Sequence, residues 1–359
     1  MSAPVDRLFR PQLAGLHGYV PQPSRPGHRL HLNESPEDLP SEVKAAIAAR
    51  VASLDFSRYP ESTQALLDAL AALDAWTPDG IHTGNGSNEL LQVLLYATLV
   101  PGDAIVLAAP SFSVYATQAR VAGARIVEVP LRAGSPDPFR FDVDALVRAA
   151  NASRAKLILL GSPNNPTGTE LSDAEIRRLH DETEGLVAID EAYRHFADRD
   201  AVPLLATCPR LLLLRTFSKS FAAAALRLGY ALGAPALIER IRTVAMPYNT
   251  SAVTTAIALE LLERPMLLQS RVARVVAERE RGYESISNVY PLVPHPGRAN
   301  FVVFEHPSKR ASELANALAA RGVLVRDLGG YDGLGHCIRA GVGTPEANDA
   351  LLAALREVV

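Results

Sequence analysis

With 359 residues, 48% of them apolar, and a formal charge of −3, the chain can bury a large core and offers no excess of positive charge for nucleic acid. Two cysteines, Cys208 and Cys337, stand far apart and outside any CxxC spacing, which argues against a disulfide framework and a thiolate metal site. The first twenty residues have no apolar signal-peptide core, and no segment approaches eighteen uninterrupted apolar residues; the expectation is a cytoplasmic protein without a membrane span.

In chain order, the Pro-rich start, including "YVPQPSRPG", cannot form regular structure and reads as an arm over residues 1–35. "SEVKAAIAARV" (41–51) and "TQALLDALAAL" (63–73) have helical spacing, and "HTGNGSNELLQVLLYATL" (82–99) is a glycine-rich turn running into a helix. "DAIVLAAP", "ARIVEVPL", "AKLILLGSP", "GLVAID" and "RLLLLRTFS" are short apolar runs bounded by turn residues, as buried strands should be. Between the third and fourth, "SDAEIRRLHDETEG" opens with Ser172 and Glu175 at capping-box spacing and closes on Gly185. This rhythm predicts an α/β fold, a large mostly parallel sheet domain with helices on both faces, over residues 36–250. After about residue 250 a long helical stretch is broken at Pro265. "ANFVVFEH", "ELANALAARGVLVRDL", "HCIRAGV" and "TPEANDALLAALREV" then predict a smaller α/β domain over 251–359.

The polar residues are not scattered. In a parallel sheet, ligands bind outside the carboxyl ends of the strands. Three successive strand ends deliver Asn164 and Asn165, then Asp190 and Tyr193, then Ser218 and Lys219. Lys219 is one of only four lysines among thirty-six basic residues. Arginine stays protonated, whereas lysine can lose its proton and attack a carbonyl carbon. "GNGSNE" (84–89) precedes an apolar helix and so aims free backbone N–H groups at an anion, but Glu89 occupies the third glycine position of a dinucleotide fingerprint. No GxxxxGK[ST], GxSxG or HExxH occurs, and His28 and His31, in the Pro-rich arm, read as solvated, so no metal site is expected. A lysine, a carboxylate at a neighbouring strand end, a phosphate cup and a tyrosine together describe a pyridoxal 5'-phosphate site. The aldehyde needs an amine, and the pyridine nitrogen needs a carboxylate to hold its proton. At about 4 Å and an effective dielectric of about 20 that ion pair is worth roughly 4 kcal/mol, or about three pKa units.

"SPNNPTG", "DEAY", "RTFSKSF" and "LRLGY", in that order, resemble the class I/II aminotransferases of fold type I. With "GYVP", "LNESP", "RYP", "GNGSNE", "PSFSVY", "GVLVRD" and "IRAGVGTPEAND", the chain from about Leu8 onward is similar, more narrowly, to the histidinol-phosphate aminotransferase family. The resemblance implies Lys219 as the lysine that carries pyridoxal 5'-phosphate, Asp190 as partner of the pyridine nitrogen, and Tyr193 and Asn165 as donors to the ring's phenolic oxygen. It implies Phe112 stacked on the ring, with Ser87, Asn88, Ser218 and Arg227 on the cofactor phosphate and Tyr59 reaching that phosphate across a homodimer interface. Arg339 would clamp a substrate α-carboxylate, and Tyr19 with Arg326 would face a substrate phosphate. The implied reaction is transamination of histidinol phosphate with 2-oxoglutarate; an aromatic amino-acid aminotransferase and a phosphoamino-acid decarboxylase are the alternatives on the same scaffold. A cofactor-binding transcription regulator would need a basic DNA-binding extension that the chain lacks. The chain departs from the family at Asn88, where an acidic residue is usual, and in the commonly glycine-bearing segment between Lys219 and Arg227, which here reads "SFAAAAL" with alanine at Ala222–Ala225. "GSPDP" (134–138) reads as a surface insertion.

Overall fold

The structure is a computed structural model and describes residues 8–13, 15–16, 26–60, 63–132 and 138–359. Tyr19 and nearly all of the 134–138 insertion lie outside the described residues. Two short strands come first, β1 (His28–Arg29) and β2 (Ile81–Gly84). The five apolar runs form β3 (Ala104–Ala109), β4 (Arg125–Pro130), β5 (Leu157–Gly161), β6 (Leu186–Asp190) and β7 (Leu211–Thr216), and β8 (Gly229–Gly233) follows. They build one seven-stranded sheet of order β2-β8-β7-β6-β5-β3-β4. β3 to β7 run parallel, and β8 is antiparallel to both its neighbours, so the sheet is mostly parallel, as expected. "ARIVEVPL" differs from its expected burial. As β4 it is an edge strand on which only Val129 is buried, with Arg125 and Glu128 turned outward, charges that discourage pairing with a further strand.

Alternate residues of the central strands feed two cores. Ile158, Leu160, Val187, Ile189, Leu211 and Leu213 face α2 (Gln64–Asp74), α5 (Val143–Ser153) and α6 (Asp173–Asp181). Leu157, Leu159, Ala188, Leu212 and Leu214 face α3 (Ser87–Thr98), α4 (Ser113–Ala122) and α7 (Pro235–Val244). That both faces of each strand are apolar is why these runs lack alternation. The capping box at Ser172 and Glu175 is formed in both directions. α1 (Ser41–Ala52) packs against α8 (Ala252–Leu262), and Ala258, Leu261 and Leu268 join the first core.

α9 (Pro265–Ser287) starts on its proline, whose missing N–H costs nothing at that position, and carries the chain to the smaller unit. There β9 (Val293–His295), β10 (Phe301–Glu305), β12 (Arg326–Asp327) and β13 (Cys337–Gly341) form an antiparallel sheet of order β12-β13-β10-β9. It packs with α10 (Ala311–Ala319) and α11 (Pro345–Val358). β11 (Val323–Leu324) pairs in parallel with β1, and Leu30 enters the small core. The segment leading out of the arm is thereby fixed to the small unit before passing the ends of β6 and β7.

Candidate active site

The carboxyl ends of β5, β6 and β7 open into a cavity of about 760 Å³. Its lining includes Ser87, Asn88, Phe112, Asn165, Asp190, Tyr193, Ser218, Lys219, Arg227, Arg326 and Arg339, so eleven of the thirteen expected site residues come together. Tyr59 does not join them: it is 75% exposed on the surface and stacks on Tyr248, with ring centroids 4.6 Å apart. Tyr19 is the thirteenth, beyond the described residues.

Lys219 leaves β7 three residues after the strand ends. Its Nζ donates to the carbonyls of Asn33 (3.0 Å) and Leu32 (3.3 Å), on the segment that follows β1. Burial pushes its pKa down to about 8, helped by the Arg339 and Arg227 charges and opposed by the carboxylates of Glu34 and Asp190. The amine is therefore far closer to its neutral, nucleophilic form at pH 7 than a surface lysine. Asp190 ends β6 opposite Gly161 of β5. Its Oδ2 accepts from the Tyr115 hydroxyl at 2.8 Å and its Oδ1 from the Ala192 N–H at 3.0 Å. Burial raises its pKa, while those two hydrogen bonds hold it down. The neighbouring carboxylate of "DEAY", Glu191, turns away and meets the buried Arg215 at 2.7 Å; Arg215 also meets Asp74 and Asp200, each at 2.6 Å.

A cationic cup lies at the start of α3. Gly86, with φ of 81°, caps the helix, and Ser87 and Asn88 open it. A Cβ at Gly86 would come 2.6 Å from the Arg227 guanidinium, so the glycine leaves a cradle between the helix end and that charge. Arg227 donates to Ser218 Oγ (3.2 Å) and to the carbonyl of Ala224 (2.9 Å). Glu89 turns back onto the Asn85 N–H, so its carboxylate caps the turn. The cup fits a phosphate dianion. Across the cavity Asn165 donates to the Tyr193 hydroxyl (3.4 Å) and accepts from Arg339, while Asn33 donates to the same hydroxyl (3.1 Å). Arg339 and Arg326 are directly paired across β13 and β12, and both line the cavity. Two like charges side by side repel, an arrangement that an anion between them would relieve.

These groups can bind a phosphorylated aldehyde, hold a proton on a ring nitrogen and accept one at a lysine. Residues 27–355 match the family described as aminotransferase class I and II. The chain belongs to that family. A histidinol-phosphate aminotransferase of Methylibium petroleiphilum is 38% identical over 361 residues, covering 99% of this chain and 95% of the relative. One from Caldanaerobacter subterraneus subsp. tengcongensis is 32% identical over 356 residues, covering 99% of both. The crystal structure of the Sinorhizobium meliloti histidinol-phosphate aminotransferase in complex with pyridoxal-5'-phosphate superimposes with a TM-score of 0.86 at 26% identity, covering 98% of this chain and 97% of the other. The large sheet and its flanking helices are the architecture of fold type I, so this aminotransferase has the fold expected from its motifs.

Sequence reasoning missed Tyr115, Asn33 and Arg215. Tyr115 had a signal: it stands three residues after Phe112, the residue that caps α4, in the first turn of that helix. Asn33 and Arg215 had none that spacing could supply, since their partners lie far away in the chain. The three possible metal ligands found within 4.8 Å of one another among the described residues, His295, Glu305 and Cys337, belong to the small sheet and do not line the cavity.

Proposed function

We propose that this aminotransferase uses pyridoxal 5'-phosphate to transfer the amino group of L-histidinol phosphate to 2-oxoglutarate, giving imidazole-acetol phosphate and glutamate, a step of histidine biosynthesis. The observation that carries the reading is a cavity around Lys219 with two cationic groups from different elements, the Arg227 cup at the start of α3 and the Arg326–Arg339 pair on the small sheet. One phosphate-bearing cofactor accounts for the first; a phosphorylated substrate accounts for the second. The cofactor supplies, when bound, an electrophilic aldehyde and a ring that withdraws electrons from the reacting carbon.

The residues present fit that group. Gly86, Ser87, Asn88, Ser218 and Arg227 would hold its phosphate, Asp190 its ring nitrogen, Asn165 and Tyr193 its phenolic oxygen, and Phe112 its face. Lys219 Nζ, whose pKa is pushed down to about 8, would hold the aldehyde and, once displaced by the substrate amine, would take the proton from the substrate Cα. Arg339 orients the carboxylate of the glutamate half-reaction, and Arg326 together with Tyr19 takes the substrate phosphate. Support for the substrate comes from relatives named histidinol-phosphate aminotransferase that match nearly the whole chain.

The protein acts in this reading as a homodimer in the cytoplasm. Phe56, Tyr59, Met246 and Tyr248 are exposed large apolar side chains, and Tyr59 stands outside its own chain's cavity, where it is available to a partner's phosphate cup. No helix among the described residues is long and apolar enough to cross a membrane, and the net charge of −3 gives no support to nucleic-acid binding. The deciding experiment compares kcat/KM for histidinol phosphate and for phenylalanine, with 2-oxoglutarate as acceptor. A clear preference for histidinol phosphate is expected. A preference for phenylalanine would replace the reading with an aromatic amino-acid aminotransferase, and release of carbon dioxide from a phosphoamino acid with one by a decarboxylase.

A further inference from the structure

Asp190 is expected to hold a proton on the cofactor ring, yet a buried carboxyl group next to a pyridine nitrogen can take that proton for itself. Burial disfavours the charged carboxylate and so draws the proton toward Asp190. Hydrogen bonds donated to the carboxylate oppose this, and the structure supplies two. One is the backbone N–H of Ala192; the other is the Tyr115 hydroxyl, 2.8 Å from Oδ2.

Three observations set Tyr115 apart from an ordinary core tyrosine. Its side chain is 3% exposed, and its one side-chain hydrogen bond among the described residues goes to Asp190. Its hydroxyl occupies space left by a glycine: a Cβ at Gly161 would lie 3.2 Å from that oxygen, and Gly161 is the residue paired with Asp190 across β5 and β6. Its ring also meets the Phe112 ring edge-on, with centroids 5.5 Å apart at 90°. One side chain thus touches both the carboxylate for the ring nitrogen and the aromatic side chain that covers the ring.

We infer that Tyr115 is a positioning residue that keeps the shared proton on the cofactor's ring nitrogen, by donating to Asp190, while bracing Phe112 over the same ring. The inference rests on the pyridoxal phosphate reading above. The Tyr115 hydroxyl serves as a donor because burial and the Asp190 charge both favour its protonated form. A hydrogen bond to a charged group changes the partition of a proton by roughly ten- to a hundredfold. Removing it moves the proton from the ring toward the carboxyl and weakens the electron withdrawal on which catalysis depends.

The test uses holoenzyme prepared with pyridoxal phosphate labelled with ¹⁵N in the ring. Tyr115→Phe keeps the ring packing and removes only the hydroxyl. Its ¹⁵N resonance is expected to move from the protonated position toward that of neutral pyridine, and its cofactor dissociation constant to rise about tenfold or more. Gly161→Ala crowds the hydroxyl and should shift the resonance the same way by less; it carries the test if Tyr115→Phe does not fold. A folded Tyr115→Phe holoenzyme with the wild-type ¹⁵N shift and wild-type affinity would overturn the inference and leave Tyr115 a packing residue. Wild-type protein that takes up no pyridoxal phosphate would overturn the underlying reading instead, so the two failures are distinguishable.

Discussion

At the scale of single residues, Lys219 carries the sharpest expectation. Its pKa is pushed down from the ordinary lysine range to about 8, first by burial and then by Arg339, so the neutral fraction grows as pH rises through that value. The rate at which cofactor-free protein captures pyridoxal phosphate should therefore rise between about pH 7 and 9 and flatten above, where a surface lysine would keep gaining to beyond pH 10. Arg339→Gln removes a cation that disfavours the charged amine, so its midpoint should lie higher than the wild type's; an unchanged midpoint would discount the Arg339 contribution. Arg326 makes no hydrogen bond or ion pair to another described side chain, and it faces the cavity beside Arg339. Losing a charge-assisted contact to a phosphate costs about 1.5–3 kcal/mol, so Arg326→Leu should lower kcat/KM for histidinol phosphate roughly ten- to two-hundredfold. The glutamate half-reaction, which has no substrate phosphate, should be nearly intact. Equal loss in both half-reactions would make Arg326 a general structural residue.

At the scale of elements, the junctions around the cofactor cup are held in unusual backbone. Asn33, Ala222 and Arg227 all adopt positive φ, near 50–55°, within the segments that form the cavity. Ala222 lies in the segment between Lys219 and Arg227 and takes a backbone conformation that favours glycine. Its φ of 55° places a Cβ in the left-handed region, which costs an L residue about 1–2 kcal/mol. The "SFAAAAL" stretch does not become one continuous α-helix; Ala222 takes the turn and only Ala224–Leu226 is helical, as a short 3-10 segment. Ala222→Gly should raise stability by up to about 1 kcal/mol, the relieved strain exceeding the added unfolded-state entropy. A lower melting temperature in calorimetry would contradict it. The opposite sign is expected at Gly229 of β8, where a Cβ would sit 2.4 Å from the Ser87 nitrogen and 2.9 Å from the Arg215 carbonyl. Both neighbours are backbone and cannot swing away. Gly229→Ala should push the start of α3 off the sheet, costing at least about 1–3 kcal/mol in denaturant unfolding and weakening cofactor phosphate binding with it.

At the scale of the whole molecule, the cavity is assembled from both units. Arg339 and Arg326 come from the small sheet, Asn165, Asp190 and Lys219 from the large one, and Leu32 and Asn33 from the segment after β1. The contact between Arg339 and Asn165 and the Arg339 hydrogen bond to the His31 carbonyl (2.9 Å) tie these three parts together at the reaction centre. If Tyr59 completes the phosphate cup of a second copy, Tyr59→Ala and Lys219→Ala chains, each inactive alone, should regain part of the activity when their subunits exchange. One site of the mixed dimer then carries neither lesion. No recovery after demonstrated exchange, or full activity from a monomer, would rule out the shared site.

The amino-acid sequence by itself determined the features that depend on neighbours in the chain. The apolar runs that become β3, β5, β6 and β7, the capping box at Ser172, the glycine turn before α3 and the residues at the strand ends are all set within a few positions. Because the parallel sheet brings successive strand ends to one edge, Asn165, Asp190 and Lys219 could be grouped without knowing a single distance. Burial of β4 could not be read in this way: an apolar run looks the same in the middle of a sheet and at its edge, and only strand order distinguishes them. Tertiary structure alone decided what each polar group faces. Tyr115 meets Asp190 across 75 positions and Lys219 meets the Asn33 carbonyl across 186. Arg326 and Arg339 become neighbours only through antiparallel pairing. The desolvation that brings Lys219 near neutrality, and the hydrogen bonds that restrain Asp190, arise from the surroundings these contacts create, because a side chain's charge state depends on what excludes water from it.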